Sequence, residues 1–118
     1  MAFARVAQSA GYYSAGELAA HRALEDRPMD LEAMQLLGNL LLEQAEYAKA
    51  AELFERATES APNTALNYYL LAQADEGNYN YFAAEQALRH ALALEPGNAF
   101  FRQRFKQFND LLAQNRPR

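Results

Sequence analysis

In the stretch YAKAAELFERATESAP, residues 47–62, the large apolar side chains Tyr47, Leu53 and Phe54 share a helical pattern with Ala48, Ala50, Ala51 and Ala57. In AFFRQRFKQFNDLLAQN near the C-terminal end, Phe101, Phe105, Phe108 and Leu112 stand four, three and four apart, which places them on one helical stripe. Between such segments lie breakers and turn residues: Gly11, Arg27-Pro28-Met29, Ala45-Glu46, Ala61-Pro62-Asn63, Gly77-Asn78 and Pro96-Gly97. The pattern predicts helices at about 2–10, 12–26, 31–44, 47–60, 64–77, 80–94 and 98–114 and no strand. The last residues, Asn115-Arg116-Pro117-Arg118, are expected to lie outside any element.

The chain repeats itself at an interval of 34 residues. Pro28, Pro62 and Pro96 keep that spacing, as do Tyr13, Tyr47 and Tyr81; Ala23, Ala57 and Ala91; and Gly16, Ala50 and Ala84. Two residues after each of these prolines comes Asp30, Thr64 or Asn98, a side chain whose oxygen can accept from the free amides of a helix's first turn. The constancy of the Ala50 and Ala57 columns marks them as places where helices approach. Ala48 and Ala51 lack it and read as good helix formers filling a position. Burial is expected at Ala50, Phe54, Ala57, Leu71 and Leu88.

The central unit, LEAMQLLGNLLLEQAEYAKAAELFERATESAPNT, resembles a tetratricopeptide repeat. Leu37-Gly38, Tyr47, Ala50, Phe54, Ala57 and Pro62 fill the family's positions, with Met34 where an aromatic is usual early in the first helix. The next unit keeps Tyr68, Leu71-Ala72, Tyr81, Ala84, Leu88, Ala91 and Pro96; the first keeps Tyr13, Ala23 and Pro28. The resemblance covers nearly the whole chain. It implies an all-α fold, an α-solenoid of three helical hairpins plus a C-terminal capping helix in a right-handed superhelix. Residues 1–118 would form one repeat domain, with repeats at about 1–30, 31–64 and 65–98 and the cap at about 99–114. A hairpin of this kind cannot bury its apolar face alone and stacks on its neighbours.

The two ends of the stack differ. In the last helix Arg102, Lys106 and Asn109 stand where Met34, Gly38 and Leu41 stood two repeats earlier, so the outer face is polar, as a cap requires. At the other end Phe3 and Val6 occupy columns that elsewhere contact a preceding hairpin. Either the chain is the C-terminal part of a longer array, the reading favoured here, or a partner associates through Phe3 and Val6.

Composition narrows the function classes. The sequence has 118 residues, 51% hydrophobic and 22% charged, with net charge −4, which gives no electrostatic reason to expect nucleic acid. With no cysteine, disulfides, thiolate metal sites and a cysteine nucleophile are excluded. No apolar run is long enough for a membrane span, and Arg5 and Gln8 interrupt what an export signal would keep apolar. A soluble protein is expected, with cytoplasm and periplasm both open. His21 and His90 have no second ligand at a metal-binding spacing and read as surface residues. Glu43, Glu46, Glu52 and Glu55 read as a solvated face, Glu52 and Glu55 beside Lys49 and Arg56. No nucleophile–base pair or phosphate-cradling glycine loop is present. An enzyme is not expected, nor a metal or cofactor.

Recognition is what remains. By the resemblance, the first helices line the inner surface of the superhelix, which puts Gln35, Asn39, Leu42, Glu43, Tyr69, Gln73, Glu76 and Arg104 in a peptide-binding groove. Arg5, Gln8 and Gln103 would extend it. Asn39 and Gln73 can bond a peptide backbone, Tyr69 offers an apolar face with a polar tip, and Glu43 and Glu76 disfavour acidic ligands. Tyr13, Tyr47 and Tyr81 are read as packing residues outside the site. The well-known members that clamp acidic chaperone tails use Lys, Asn and Arg on first helices. Here Asn39 and Arg104 match, while Gln35, Leu70 and Phe100 replace a Lys, an Asn and a Lys. The expected partner is therefore a protein or peptide other than an acidic chaperone tail. The alternative is an assembly or scaffold subunit that uses its ends or convex face.

Overall fold

In the computed structural model, which describes residues 2–114 and their side chains from residue 14 onward, the chain is all-α. The described residues form six helices: α1 (Ala2–Asp26), α2 (Leu31–Glu43), α3 (Tyr47–Ser60), α4 (Ala65–Gly77), α5 (Tyr81–Leu94) and α6 (Ala99–Gln114). Each helix packs on the next in chain order. α2–α3 and α4–α5 are two hairpins in series, with α1 before them and α6 after.

The expected break at Gly11 is absent, so the first two of the seven predicted helices are the single helix α1 and no hairpin forms there. The physical reason is modest: one Gly inside a helix costs only about 1 kcal/mol, and no proline enforces a stop. The side chains of Phe3, Arg5, Val6, Gln8 and Tyr13 lie outside the described residues, as does the tail from Asn115 to Arg118.

The 34-residue register is visible in the hydrogen bonds. At the end of α2, the amides of Gln44, Ala45 and Glu46 donate to the carbonyls of Leu40, Leu42 and Leu41. At the end of α4, those of Asn78, Tyr79 and Asn80 donate to Ala74, Glu76 and Asp75 in the same pattern. Ala45 (φ 60°) and Tyr79 (φ 62°) both adopt the left-handed conformation that closes a helix by returning amides to its last carbonyls. Between hairpins, Asp30 Oδ1 accepts from the Ala33 amide at 3.2 Å and Asn98 Oδ1 from the Phe101 amide at 3.1 Å, as capping residues should. Thr64, expected to cap in the same way, makes no side-chain cap bond. Tyr68 instead secures that corner, its hydroxyl donating to the Pro62 carbonyl at 3.0 Å.

One hydrophobic cluster runs from Ala20 to Phe108. Ala50, Ala57, Ala84 and Ala91 are fully buried, as the constant columns predict. Ala51, read as filler, is also buried, whereas Ala48 is exposed. Leu71, expected inside, is only half-buried. Gly38 is required to be small, because a Cβ there would come within 2.5 Å of the Phe54 ring. In α6, Phe101 and Phe108 are buried and Arg102 and Lys106 are exposed, so the aromatic stripe packs back on the stack. α4 is covered on several faces and buries Asn67 and Asp75 along with its apolar residues. No described helix is long and apolar enough to cross a membrane.

Candidate functional site

α2, α4 and α6 occupy equivalent places in successive repeats, and residues from the ends of α2 and α4 and from α6 line a cavity of about 530 Å³. Four of the eight expected residues line it: Leu42, Gln73, Glu76 and Arg104. Glu76 and Arg104 are joined in an ion pair across α4 and α6, each side chain about a quarter exposed. The guanidinium therefore already has a carboxylate partner, and the pair presents dipoles and hydrogen-bonding edges more than net charge. Gln73 Nε2 donates to the Tyr69 hydroxyl at 3.1 Å, which orients its amide along the groove wall.

The other four lie outside this cavity. Tyr69 is buried, its ring stacked on Phe101 and tilted against Phe100, both with centroids 5.3 Å away. It supports the wall, and little of its face is free. Gln35 Nε2 donates to Asn67 Oδ1 at 2.7 Å, which ties α2 to α4. Asn39 and Glu43 are exposed on α2.

The reading of Tyr47 and Tyr81 as packing residues alone needs correction, because both also line the cavity. Tyr47 does pack: a Cβ on Gly77 would lie 2.4 Å from its ring, so the absence of a side chain there lets the tyrosine sit against α4. Tyr81 packs on Phe108 with centroids 6.2 Å apart, yet remains partly exposed. Tyr79 completes the rim, 81% exposed and edge-on to Tyr81. Recurrence at 34 residues identifies a packing column but does not say which ring edge stays open. Tyr79, in the turn, gave no periodic signal at all. Further along the same three helices Leu36, Leu66 and Phe100 are exposed. This face therefore combines three phenol rims, a fixed amide, an internal ion pair and an apolar continuation. Among the described residues no three His, Cys, Asp or Glu side chains are grouped to hold a metal.

A stack of paired helices in this register is a helical-repeat scaffold. More particularly, residues 31–64 match the family model described as Tetratricopeptide repeat, and the chain carries the tetratricopeptide-repeat fold. Among solved structures it is similar to MamA from Desulfovibrio magneticus RS-1, with 26% identity, TM-score 0.81, and coverage of 87% of this chain and 58% of that one. It is similar to an O-GlcNAc transferase from Thermobaculum terrenum, with 31% identity and TM-score 0.75 over 89% of this chain and 20% of the transferase. The first TPR of Spaghetti (RPAP3), solved bound to an HSP90 peptide, matches with TM-score 0.81 over 87% of this chain and 82% of that one; at 16% identity it shows the fold alone. The chain thus spans less than two thirds of the MamA chain and a fifth of the transferase. A search of the curated proteins finds no match.

Proposed function

We propose that this chain is a non-catalytic interaction module that holds an extended peptide segment along the concave face formed by α2, α4 and α6. The reading takes residues 1–118 as one repeat domain. The observation that supports it most is the cavity in which Gln73, the Glu76–Arg104 pair and the rims of Tyr47, Tyr79 and Tyr81 converge. Phenol rims pack against peptide side chains at little entropic cost, and the amide can bond a peptide backbone.

The preferred segment is neutral or basic and partly apolar. Leu36, Leu66 and Phe100 offer apolar contacts, and Glu43 is an exposed carboxylate. Arg104, one of the two positions that match the acidic-tail clamp, is already neutralised by Glu76. Selection of displayed peptides against the immobilised protein, followed by chemical-shift mapping, tests the proposal. Selected peptides should shift the amides of Gln73, Glu76, Tyr79 and Arg104 and bind at least tenfold more weakly to a Gln73→Ala, Tyr79→Ala variant. Peptides that map elsewhere, or an unchanged affinity, would overturn it. The acidic peptide SRMEEVD should give no saturable heat. Micromolar, salt-sensitive binding lost in Arg104→Ala would overturn the charge preference.

A further inference from the structure

A second surface emerges when equivalent depressions in successive repeats are compared. One lies between α1 and α3 above α2, with a volume of about 550 Å³; the other lies between α3 and α5 above α4, at about 360 Å³. A shift of 34 residues carries Leu41 onto Asp75, Lys49 onto Ala83 and Arg56 onto His90. The first depression has an apolar floor, and its rim carries the cations Lys49 and Arg56 among the carboxylates Glu17, Glu25 and Glu52. In the second, the floor is a carboxyl and both cations are gone.

Asp75 is only 5% exposed and lines the second depression. Among the described residues, the charged or titratable groups that line the depression with it are Glu55, Tyr68 and His90. Glu55 from α3 is a second carboxylate, and among the described residues no salt bridge engages it. From α5 comes His90, whose ring is stacked on Tyr68 from α4 with centroids 4.2 Å apart. Arg89 is bound to Glu85 and lies over Phe105, outside this depression. Beside the carboxyl stands Phe82, 74% exposed.

We propose that the depression between α3 and α5 receives one basic side chain from a partner polypeptide, its cationic head on Asp75 and Glu55 and its alkyl stem against Phe82. Charge complementarity selects this occupant. A carboxylate held away from water gains most from a charge-assisted bond, and a long cationic side chain can lay its methylenes on an aromatic ring while the head reaches the acid. Burial, with Glu55 adding to it, pushes the Asp75 carboxyl up to about 6, so the anion that would bind the cation is better populated at pH 7.5 than at pH 5. This surface is distinct from the α2–α4–α6 face and does not depend on it.

The test is a titration of the isotopically labelled full chain with the peptide Ac-Ala-Ala-Arg-Ala-Ala-NH2 and with its citrulline counterpart, which keeps the shape and removes the charge. The arginine peptide should produce saturable shifts at Leu71, Asp75, Ala83 and His90, at least tenfold tighter than citrulline and weaker at pH 5. Asp75→Asn should abolish the difference between the two peptides. Asp75→Leu restores the residue type found at Leu41, so it should fold and likewise lose the difference. Absence of shifts, equal binding of citrulline, shifts confined to the α2–α4–α6 face, or full binding by either variant would overturn the proposal.

Discussion

The hairpins α2–α3 and α4–α5 have the same turns, the same small-residue columns and the same register, yet they are not equally regular inside. Where α2 buries Ala33 and Leu41, α4 buries Asn67 and Asp75. Asn67 is fully buried; its Oδ1 accepts from Gln35, and its Nδ2 has no protein partner. A buried polar group left unpaired, as Asn67 Nδ2 is, costs about 1–3 kcal/mol. The family model matches the hairpin with the apolar interior, residues 31–64. The lesson is that a helical repeat can place its structural regularity in one unit and its polar departures in the next, because neighbouring interfaces share the stability.

Mutations that leave the polar departures alone should affect both hairpins alike. Phe54 and Leu88 occupy the same repeat position and are both buried. Phe54→Ala should cost about 3–5 kcal/mol and Leu88→Ala about 2–5 kcal/mol in urea denaturation. An unchanged midpoint for either would show that the two cores are not equivalent.

Removing the acid should erase the largest difference between the hairpins. Because folding raises the Asp75 carboxyl from 3.8 to about 6, the folded chain binds the proton more tightly than the unfolded chain. Its stability is therefore fully present below 3.8 and is lost as pH rises through 6. Asp75→Asn should gain up to about 3 kcal/mol at pH 8, at 1.36 kcal/mol for each pH unit between the two midpoints and less as solvent screens the carboxyl, and the gain should disappear by pH 3. A gain independent of pH would point to packing instead of charge.

The alanine columns give a smaller effect. Ala57→Leu and Ala91→Leu should each cost about 1–3 kcal/mol by overpacking a helix contact, with similar values in the two hairpins. An unchanged urea midpoint would count against the shared register.

The turns provide the finest contrast. Ala45→Gly and Tyr79→Gly relieve the same left-handed strain, offset by glycine's greater loss of freedom, for a net gain of about 0.5–1 kcal/mol each. Only the second should weaken a peptide selected for the α2–α4–α6 face, since Tyr79 lines that cavity and Ala45 does not. Equal effects on binding would remove Tyr79 from the site.

Much of this was legible from the order of residues. The interval between prolines, the alanine columns and the aromatic stripe of α6 report backbone packing, which repeats because each hairpin meets the same neighbours. The continuity of α1 was not legible, since Gly11 weakens a helix only slightly and neighbouring contacts decide the outcome. Of the groove residues, Leu42, Gln73, Glu76 and Arg104 were reachable from the register, whereas Tyr79 depends on the direction imposed by a left-handed turn. The burial of Asn67 and Asp75 did leave a trace: polar residues aligned beneath Ala33 and Leu41. A single polar substitution in a repeat column equally suits a solvated face, and only the packing of α5 and α6 against α4 decides between the two.

That α4 holds a buried carboxyl where α2 holds a leucine can be tested by following the Asp75 side-chain carboxyl carbon by NMR across pH 3 to 8. The midpoint should lie near 6 in the folded protein. A midpoint near the ordinary aspartate value of 3.8 would contradict it.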